Sequence, residues 1–241
     1  MSRRATYGID APGAVRANIV LGIVFAIIAA AGSAWAISAS AISTWAVTVA
    51  TPLAALCFFY AAVMLWSSLI GKKRLCERLV AALALRGDER LLDAGCGRGL
   101  ALIACAKKLA AGKAVGIDLW VAKDQSNNSP DATLANAAAE GIADRVIVET
   151  GDITKLPFAD ASFDAIVSMI VIHNIPTRDG RDQALRELAR VLKPGGRMVV
   201  YDLLHTARYA QVLREAGLKV DTLSREALWL LPSRALLARK P

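Results

Sequence analysis

Leu91-Leu92-Asp93-Ala94-Gly95-Cys96-Gly97-Arg98-Gly99 decides the fold of this chain. It begins as a short apolar strand, ends that strand on a carboxylate and enters a G-x-G-x-G turn. The Ala/Leu-rich residues at about 99–110 then read as a helix. A buried strand that feeds a helix through glycines is the opening of a parallel α/β unit. Glycine tolerates tight turns and lets a ligand approach the backbone closely. Dinucleotide-binding enzymes use such a turn too, with the spacing G-x-G-x-x-G. Here the spacing is shorter, and Asp93 stands two residues before the first glycine. A carboxylate there repels a pyrophosphate, which needs helix N–H groups unopposed. It suits a ligand that carries an ammonium and no phosphate.

Outward from this turn, short apolar runs alternate with helical stretches. Strands are expected at residues 90–93, 114–118, 145–148, 163–168, 197–201, 218–220 and 235–238. Helices are expected at about 72–86, 130–140, 180–192 and 207–216. Near-continuously apolar strands between helices mean a parallel sheet covered on both faces. The fold class is therefore α/β, a Rossmann-like, doubly wound sheet of seven strands. The last two strands have no clear helix between them, so an antiparallel edge is expected.

Ligands of such sheets sit beyond the carboxyl ends of the strands. Asp118 ends the second strand, where an acid accepts hydrogen bonds from ribose hydroxyls. Asp152 follows the third, beside Ile153, a pair suited to an adenine amino group and ring. Each aspartate alone reads as well as a helix cap or turn residue. Three in register at successive strand ends weaken that reading.

With these residues in view, the chain resembles the class I S-adenosylmethionine-dependent methyltransferases, in the group with small-molecule and lipid-like acceptors. The resemblance rests on residues 91–99, Gly116-Ile117-Asp118, Gly151-Asp152-Ile153, Leu156-Pro157-Phe158, Ser162-Phe163-Asp164 and residues 190–197. It covers about residues 74–241. It implies S-adenosylmethionine as cofactor, with Asp93, Gly95, Cys96 and Gly97 at the amino-acid moiety. It implies Asp118 at the ribose, with Leu119 and Trp120 beside it, and Asp152 and Ile153 at the adenine. Ser168 is expected against the sulfonium. No metal is implied. A module that holds the cofactor without catalysis is the alternative, although nothing in the site looks broken.

Two departures matter. The segment after Asp118 is long and polar; Asp124, Gln125, Asn127 and Asn128 read as a solvated loop, with acceptor contact as the alternative. Trp120 is expected either to line the pocket or to cover the sheet edge. After the fourth strand the chain runs Ser168-Met169-Ile170-Val171-Ile172-His173-Asn174, without an Asn-Pro-Pro-Tyr type tetrapeptide, which argues against DNA and glutamine acceptors. His173 and His205 are the candidate general bases, because an imidazole titrates near neutrality.

The first 71 residues have another character. The chain is 241 residues long, 55% hydrophobic and 21% charged, yet residues 17–71 hold no charge at all. Two runs, 17–38 and about 44–70, are expected as membrane helices forming a hairpin; the first would span about 33 Å against a hydrocarbon core of about 30 Å. The domain boundary then falls between residues 71 and 72. The first run is long for a signal-peptide core, and a second follows it. Trp35, Trp45 and Trp66 flank the runs as interfacial tryptophans do. Arg3, Arg4, Arg16, Lys72, Lys73, Arg74 and Arg78 cluster at the hairpin's open end, which puts both ends and the catalytic domain on the cytoplasmic side. This placement accounts for much of the net charge of +8 without nucleic acid. The expected partners are a small-molecule or lipid acceptor and the bilayer. Cys57, Cys76, Cys96 and Cys105 form no C-x-x-C pair and suggest neither zinc nor disulfides.

Overall fold

The computed structural model describes residues 5–35, 41–121, 125–228 and 231–241. Arg3 and Arg4, the expected helix end at 36–38, the first two residues of the connection after it, and Asp124 lie outside them. The sheet has the seven expected strands: β1 (Arg90–Ala94), β2 (Lys113–Asp118), β3 (Val146–Thr150), β4 (Phe163–Met169), β5 (Leu192–Asp202), β6 (Lys219–Leu228) and β7 (Leu231–Arg239). Their order is β3-β2-β1-β4-β5-β7-β6, with β7 antiparallel to both β5 and β6. The antiparallel edge is thus a long hairpin, where the sequence suggested only two short strands.

Alternation along the strands sends neighbours to opposite faces. Leu91 packs with Leu102, Ile103 and Leu79 on one side, while Leu92 packs with Leu185, Leu188 and Leu213 on the other. The first side is covered by α3 (Lys72–Ala82), α4 (Leu100–Ala106) and α5 (Pro130–Ala139). The second is covered by α6 (Arg178–Val191) and α7 (Thr206–Glu215). Each fully buried leucine contributes about 1.5–3 kcal/mol relative to exposure. From β1 the chain winds outward to β2 and β3, then returns to place β4 beside β1. The carboxyl ends of β1 and β4 therefore splay apart, and a crevice opens between them.

Ahead of this domain stand α1 (Pro12–Trp35) and α2 (Ala41–Trp66), packed against each other. Both are long and apolar enough to cross a membrane, by length and composition. Their apolar windows are only 11% and 28% buried, so they are not core helices of the domain. Gly22 allows the close approach: a Cβ there would stand 2.9 Å from the Phe58 ring.

The second helix departs from expectation. It does not stop near residue 70 before a separate helix. Residues Ser67–Gly71 form a π-helical turn that runs directly into α3. Gly71 keeps helical angles, φ −57° and ψ −48°. The onset of charge at Lys72 marks a change of surroundings and breaks no hydrogen bond, so it does not end a helix. The boundary expected at 71/72 falls inside a continuous helical run.

Candidate active site

A cavity of about 500 Å³ opens at the carboxyl ends of β1 and β4. Asp93, Gly95, Cys96, Gly97, Asp118, Leu119, Asp152 and Ile153 all line it. Gly95 has φ +80°, and a Cβ there would collide with Val171. From Gly95 to Gly99 every backbone N–H is already taken. Gly95 and Cys96 donate to Ile117 O at 2.8 and 3.1 Å, and Gly99 to Cys96 O at 2.8 Å. Gly97 donates to Asp118 Oδ2 at 2.8 Å, and Arg98 to Gln125 Oε1 at 2.9 Å. A phosphate would find no free donor in this turn.

Among the described residues, three buried side-chain polar atoms have no hydrogen-bond partner: Asp93 Oδ2, Asn128 Oδ1 and His173 Nδ1. All three residues line this one cavity. Unsatisfied buried groups are rare and call for a cause. Asp93 is 1% exposed, and burial pushes its carboxyl up to about 8, with Asp118 adding to the rise. Asn128 Nδ2 donates to Asp118 Oδ1 at 3.3 Å, which fixes the amide and leaves Oδ1 as a bare acceptor. Asp118 also accepts from the Trp120 backbone at 2.6 Å, so three of its roughly four acceptor positions are filled. The cavity thus offers a buried carboxylate oxygen, one place on Asp118 and one amide oxygen. They fit a ligand that brings an ammonium and hydroxyl donors. Burial also pushes the Cys96 thiol up, with Asp93 and Asp118 contributing, so no thiolate nucleophile forms there.

His173 lies in the turn after β4, on the cavity wall. Its backbone N–H donates to Asp202 Oδ2 at 2.9 Å, and its Nδ1 stands 2.5 Å from Asp202 Oδ1, close but out of line for a hydrogen bond. Asp202 ends β5, fully buried, and also accepts from the Leu203 N–H at 2.8 Å and the Tyr209 hydroxyl at 3.4 Å. Asp202 therefore holds the His173 turn through its backbone, with its carboxylate lying against the imidazole Nδ1. The wall beside it is apolar: Met169, Ile170, Val171 and Ile175. Ile170 holds φ +60°, a strained value for a β-branched residue, of order 1–3 kcal/mol; its N–H bonds Tyr201 O at 2.8 Å.

Three expected residues lie elsewhere. Ser168 is buried with its hydroxyl donating to Ala94 O at 2.9 Å, a tie between β4 and β1 and not a cavity contact. Trp120 sits at φ +59°, which turns its ring away; Nε1 donates to Thr150 Oγ1 at 2.8 Å. Leu119 takes the place at the cavity. His205 is an exposed residue at the N-terminus of α7 and does not line the cavity. Conversely, Gln125 and Asn128, read as solvated loop, line it, while Asn127 is exposed. Asp202 was missed. Its signal was available, since it is one more aspartate at a strand end.

Residues 92–200 match the family model described as a methyltransferase domain. A 27-O-demethylrifamycin SV methyltransferase of Amycolatopsis mediterranei is 35% identical over 148 residues, 61% of this chain and 48% of that protein. A demethylmenaquinone methyltransferase of Lactiplantibacillus plantarum is 35% identical over 126 residues, 51% of this chain and 48% of that protein. The chain spans about half the length of these curated relatives. Among solved structures, a geranyl diphosphate methyltransferase in complex with S-adenosylmethionine superposes with a TM-score of 0.56 at 16% identity, over 73% of this chain and 87% of that one, a likeness of fold. The matched segment makes residues 92–200 a methyltransferase domain, the sheet order agrees with that fold, and S-adenosylmethionine is the cofactor of such a domain.

Proposed function

We propose that this protein methylates a small lipophilic acceptor at the cytoplasmic face of a membrane in which α1 and α2 sit as a hairpin. One observation carries the reading. The cavity that gathers the unpartnered Asp93 and Asn128 oxygens, with His173 on its wall, is also lined by Asp10 and Ala11 at the root of α1 and by Lys72 just past α2. Cofactor residues, candidate base and hairpin root thus share one space. The apolar wall from Met169 to Ile175 suits a lipid-like acceptor, such as a quinone-like phenol, a lipophilic thiol or a headgroup amine. The exposed apolar faces of α1 and α2, including Ile23, Ile27, Leu56 and Phe59, suit hydrocarbon. Trp45 and Trp66, both exposed, suit interfacial positions.

When bound, S-adenosylmethionine supplies an activated methyl group for in-line attack by an acceptor oxygen, nitrogen or sulfur. The chain's own work is to align, exclude water and move one proton. Asp93 Oδ2 would hold the ammonium, with Gly95, Cys96 and Gly97 along the amino-acid part. The free position on Asp118 and the Asn128 amide oxygen would accept from the two ribose hydroxyls. Asp152 and Ile153 would flank the adenine. His173 takes the acceptor's proton at Nε2, while Asp202 steadies the resulting imidazolium. Alignment alone can supply about 7–11 kcal/mol of the barrier, and a placed base about 10²–10⁴ in rate.

The test uses the full chain in bilayer nanodiscs with methyl-labelled cofactor. It is offered a total membrane lipid extract and a panel of water-soluble hydroxyls, amines and thiols, and products are read by mass spectrometry. Label is expected in the lipid fraction. Label confined to the water-soluble panel would refute the acceptor class, and no label anywhere would refute catalysis.

A further inference from the structure

Residues 6–11 precede α1 and cross the cofactor turn before the helix begins. Their hydrogen bonds reach the cofactor turn, α5, the loop at Gln125 and the start of α3 together. Arg98, inside the Gly95–Gly99 turn, donates through Nε to Thr6 O and through Nη2 to Thr6 Oγ1, both at 2.8 Å. Asn136 of α5 accepts the Thr6 N–H at 2.9 Å and returns Nδ2 to both Thr6 O and Arg98 O at 2.9 Å. Gln125 accepts the Arg98 N–H through Oε1 and donates through Nε2 to Tyr7 O at 3.0 Å and Asp10 Oδ1 at 3.3 Å. Lys72 spends all three ammonium protons here, on Tyr7 O, Gly8 O and Asp10 Oδ1 at 2.9, 3.0 and 2.9 Å. Lys72 is buried, and Asp10 and Lys72 both face the cavity.

A buried ammonium costs several kcal/mol to desolvate, and a surface anchor would not need one. This one holds the segment at a fixed position against the cavity. Gln125 bonds the turn with one end and the segment with the other, so neither can shift alone. A Cβ on Gly97 would stand 2.6 Å from Gln125 Oε1, which leaves the turn no slack on that side.

We propose that residues 6–11 are a working wall of the cofactor site, and that cofactor binding and docking of the hairpin root are thermodynamically coupled through Gln125 and the Lys72–Asp10 pair. The inference rests on the cofactor reading of this cavity. Coupling is reciprocal: whatever the docked segment adds to cofactor affinity, bound cofactor returns as protection of the segment.

The test is titration of the full chain in nanodiscs with S-adenosylhomocysteine by calorimetry, paired with amide hydrogen exchange. Gln125→Ala is expected to weaken binding at least fivefold, and Lys72→Met more. In the wild type, saturation is expected to slow exchange at residues 6–10 by a comparable factor. If Lys72→Met fails to fold, Gln125→Ala and the wild-type exchange experiment decide the matter. Affinity within twofold of wild type for a folded Gln125→Ala, with exchange at residues 6–10 unchanged on saturation, would overturn the inference alone. A wild type that does not bind S-adenosylhomocysteine would overturn the cofactor reading with it.

Discussion

Replacing Asp93 with asparagine probes the site at its most exposed assumption, that a buried carboxylate waits for an ammonium. Asp93 Oδ2 has no protein partner, and burial lifts the carboxyl to about 8. In the unfolded chain an aspartate titrates near about 3.9. The native, ligand-free protein therefore holds a proton that the unfolded chain has released. Its stability falls as pH rises from about 4 to about 8 and levels off above. A bound ammonium favours the ionised form, so affinity runs the other way. At pH 6, two units below the folded value, only about 1% is ionised, and binding is about 100-fold weaker than its high-pH limit, roughly 2.7 kcal/mol. Asp93→Asn removes a charge-assisted hydrogen bond of about 1.5–3 kcal/mol, which is roughly 10- to 150-fold in affinity near pH 8.5. It also flattens the pH profile, so that variant and wild type converge near pH 6. The assay is calorimetric titration with S-adenosylhomocysteine from pH 6 to 8.5, with thermal melts of the ligand-free proteins alongside. Parallel pH curves for the two proteins, or equal affinity at pH 8.5, would refute the reasoning.

His173→Gln is expected to lower kcat by about 10²–10⁴ while leaving affinity for S-adenosylhomocysteine unchanged; an unaltered kcat removes the imidazole from the mechanism. Asp202→Asn sets an amide where the His173 and Leu203 N–H groups and the Tyr209 hydroxyl all donate. It should cost roughly 1–3 kcal/mol in urea unfolding and lower kcat as the imidazole loses its hold. Gly95→Ala meets both a positive φ and Val171. A loss of about 1–3 kcal/mol, read by urea unfolding, is expected, together with weaker cofactor binding. For topology, a cysteine introduced at Pro241 in a background without other reactive thiols should resist an impermeant maleimide on sealed right-side-out vesicles and react once they are lysed. Labelling before lysis would invert the proposed orientation.

Much of the cofactor site was legible because it is written locally. Asp93, Asp118 and Asp152 lie within two residues of the ends of β1, β2 and β3, and a strand end in a parallel sheet faces the crevice. No knowledge of distant contacts is required. The residues that the sequence placed less well relative to the cavity depend on direction or on partners far along the chain. Trp120 is adjacent to a correctly placed residue, but its positive φ turns the ring to Thr150. Ser168 has the right position along β4, but its hydroxyl is spent on Ala94 O. Asp202 stands at a strand end like the other aspartates, but its contact with His173 joins positions 29 residues apart on different elements, and that pairing is set only by the fold. Gln125 and Asn128 looked solvated because polar loops usually are. Their partners, the N-terminal segment and Asp118, are supplied only by the fold. The hairpin was read from hydropathy, which reports surroundings. The helical continuity through Gly71 depends on backbone angles, and hydropathy is silent about those.

That continuity has a mechanical consequence. A catalytic domain on a flexible tether samples a cloud of heights and tilts above its anchor, and its meetings with lipid acceptors are averaged over that cloud. Here α2 passes through the π-turn into α3, and α3 buries Leu75 and Leu79 in the core of the domain. In the proposed membrane arrangement the mouth of the cavity is therefore held at one elevation and one bearing. An acceptor confined to the sheet of lipid needs only to diffuse in two dimensions until it lies beneath that mouth. The π-turn changes the winding between anchor and catalyst without interrupting the helix, so that bearing is carried through it.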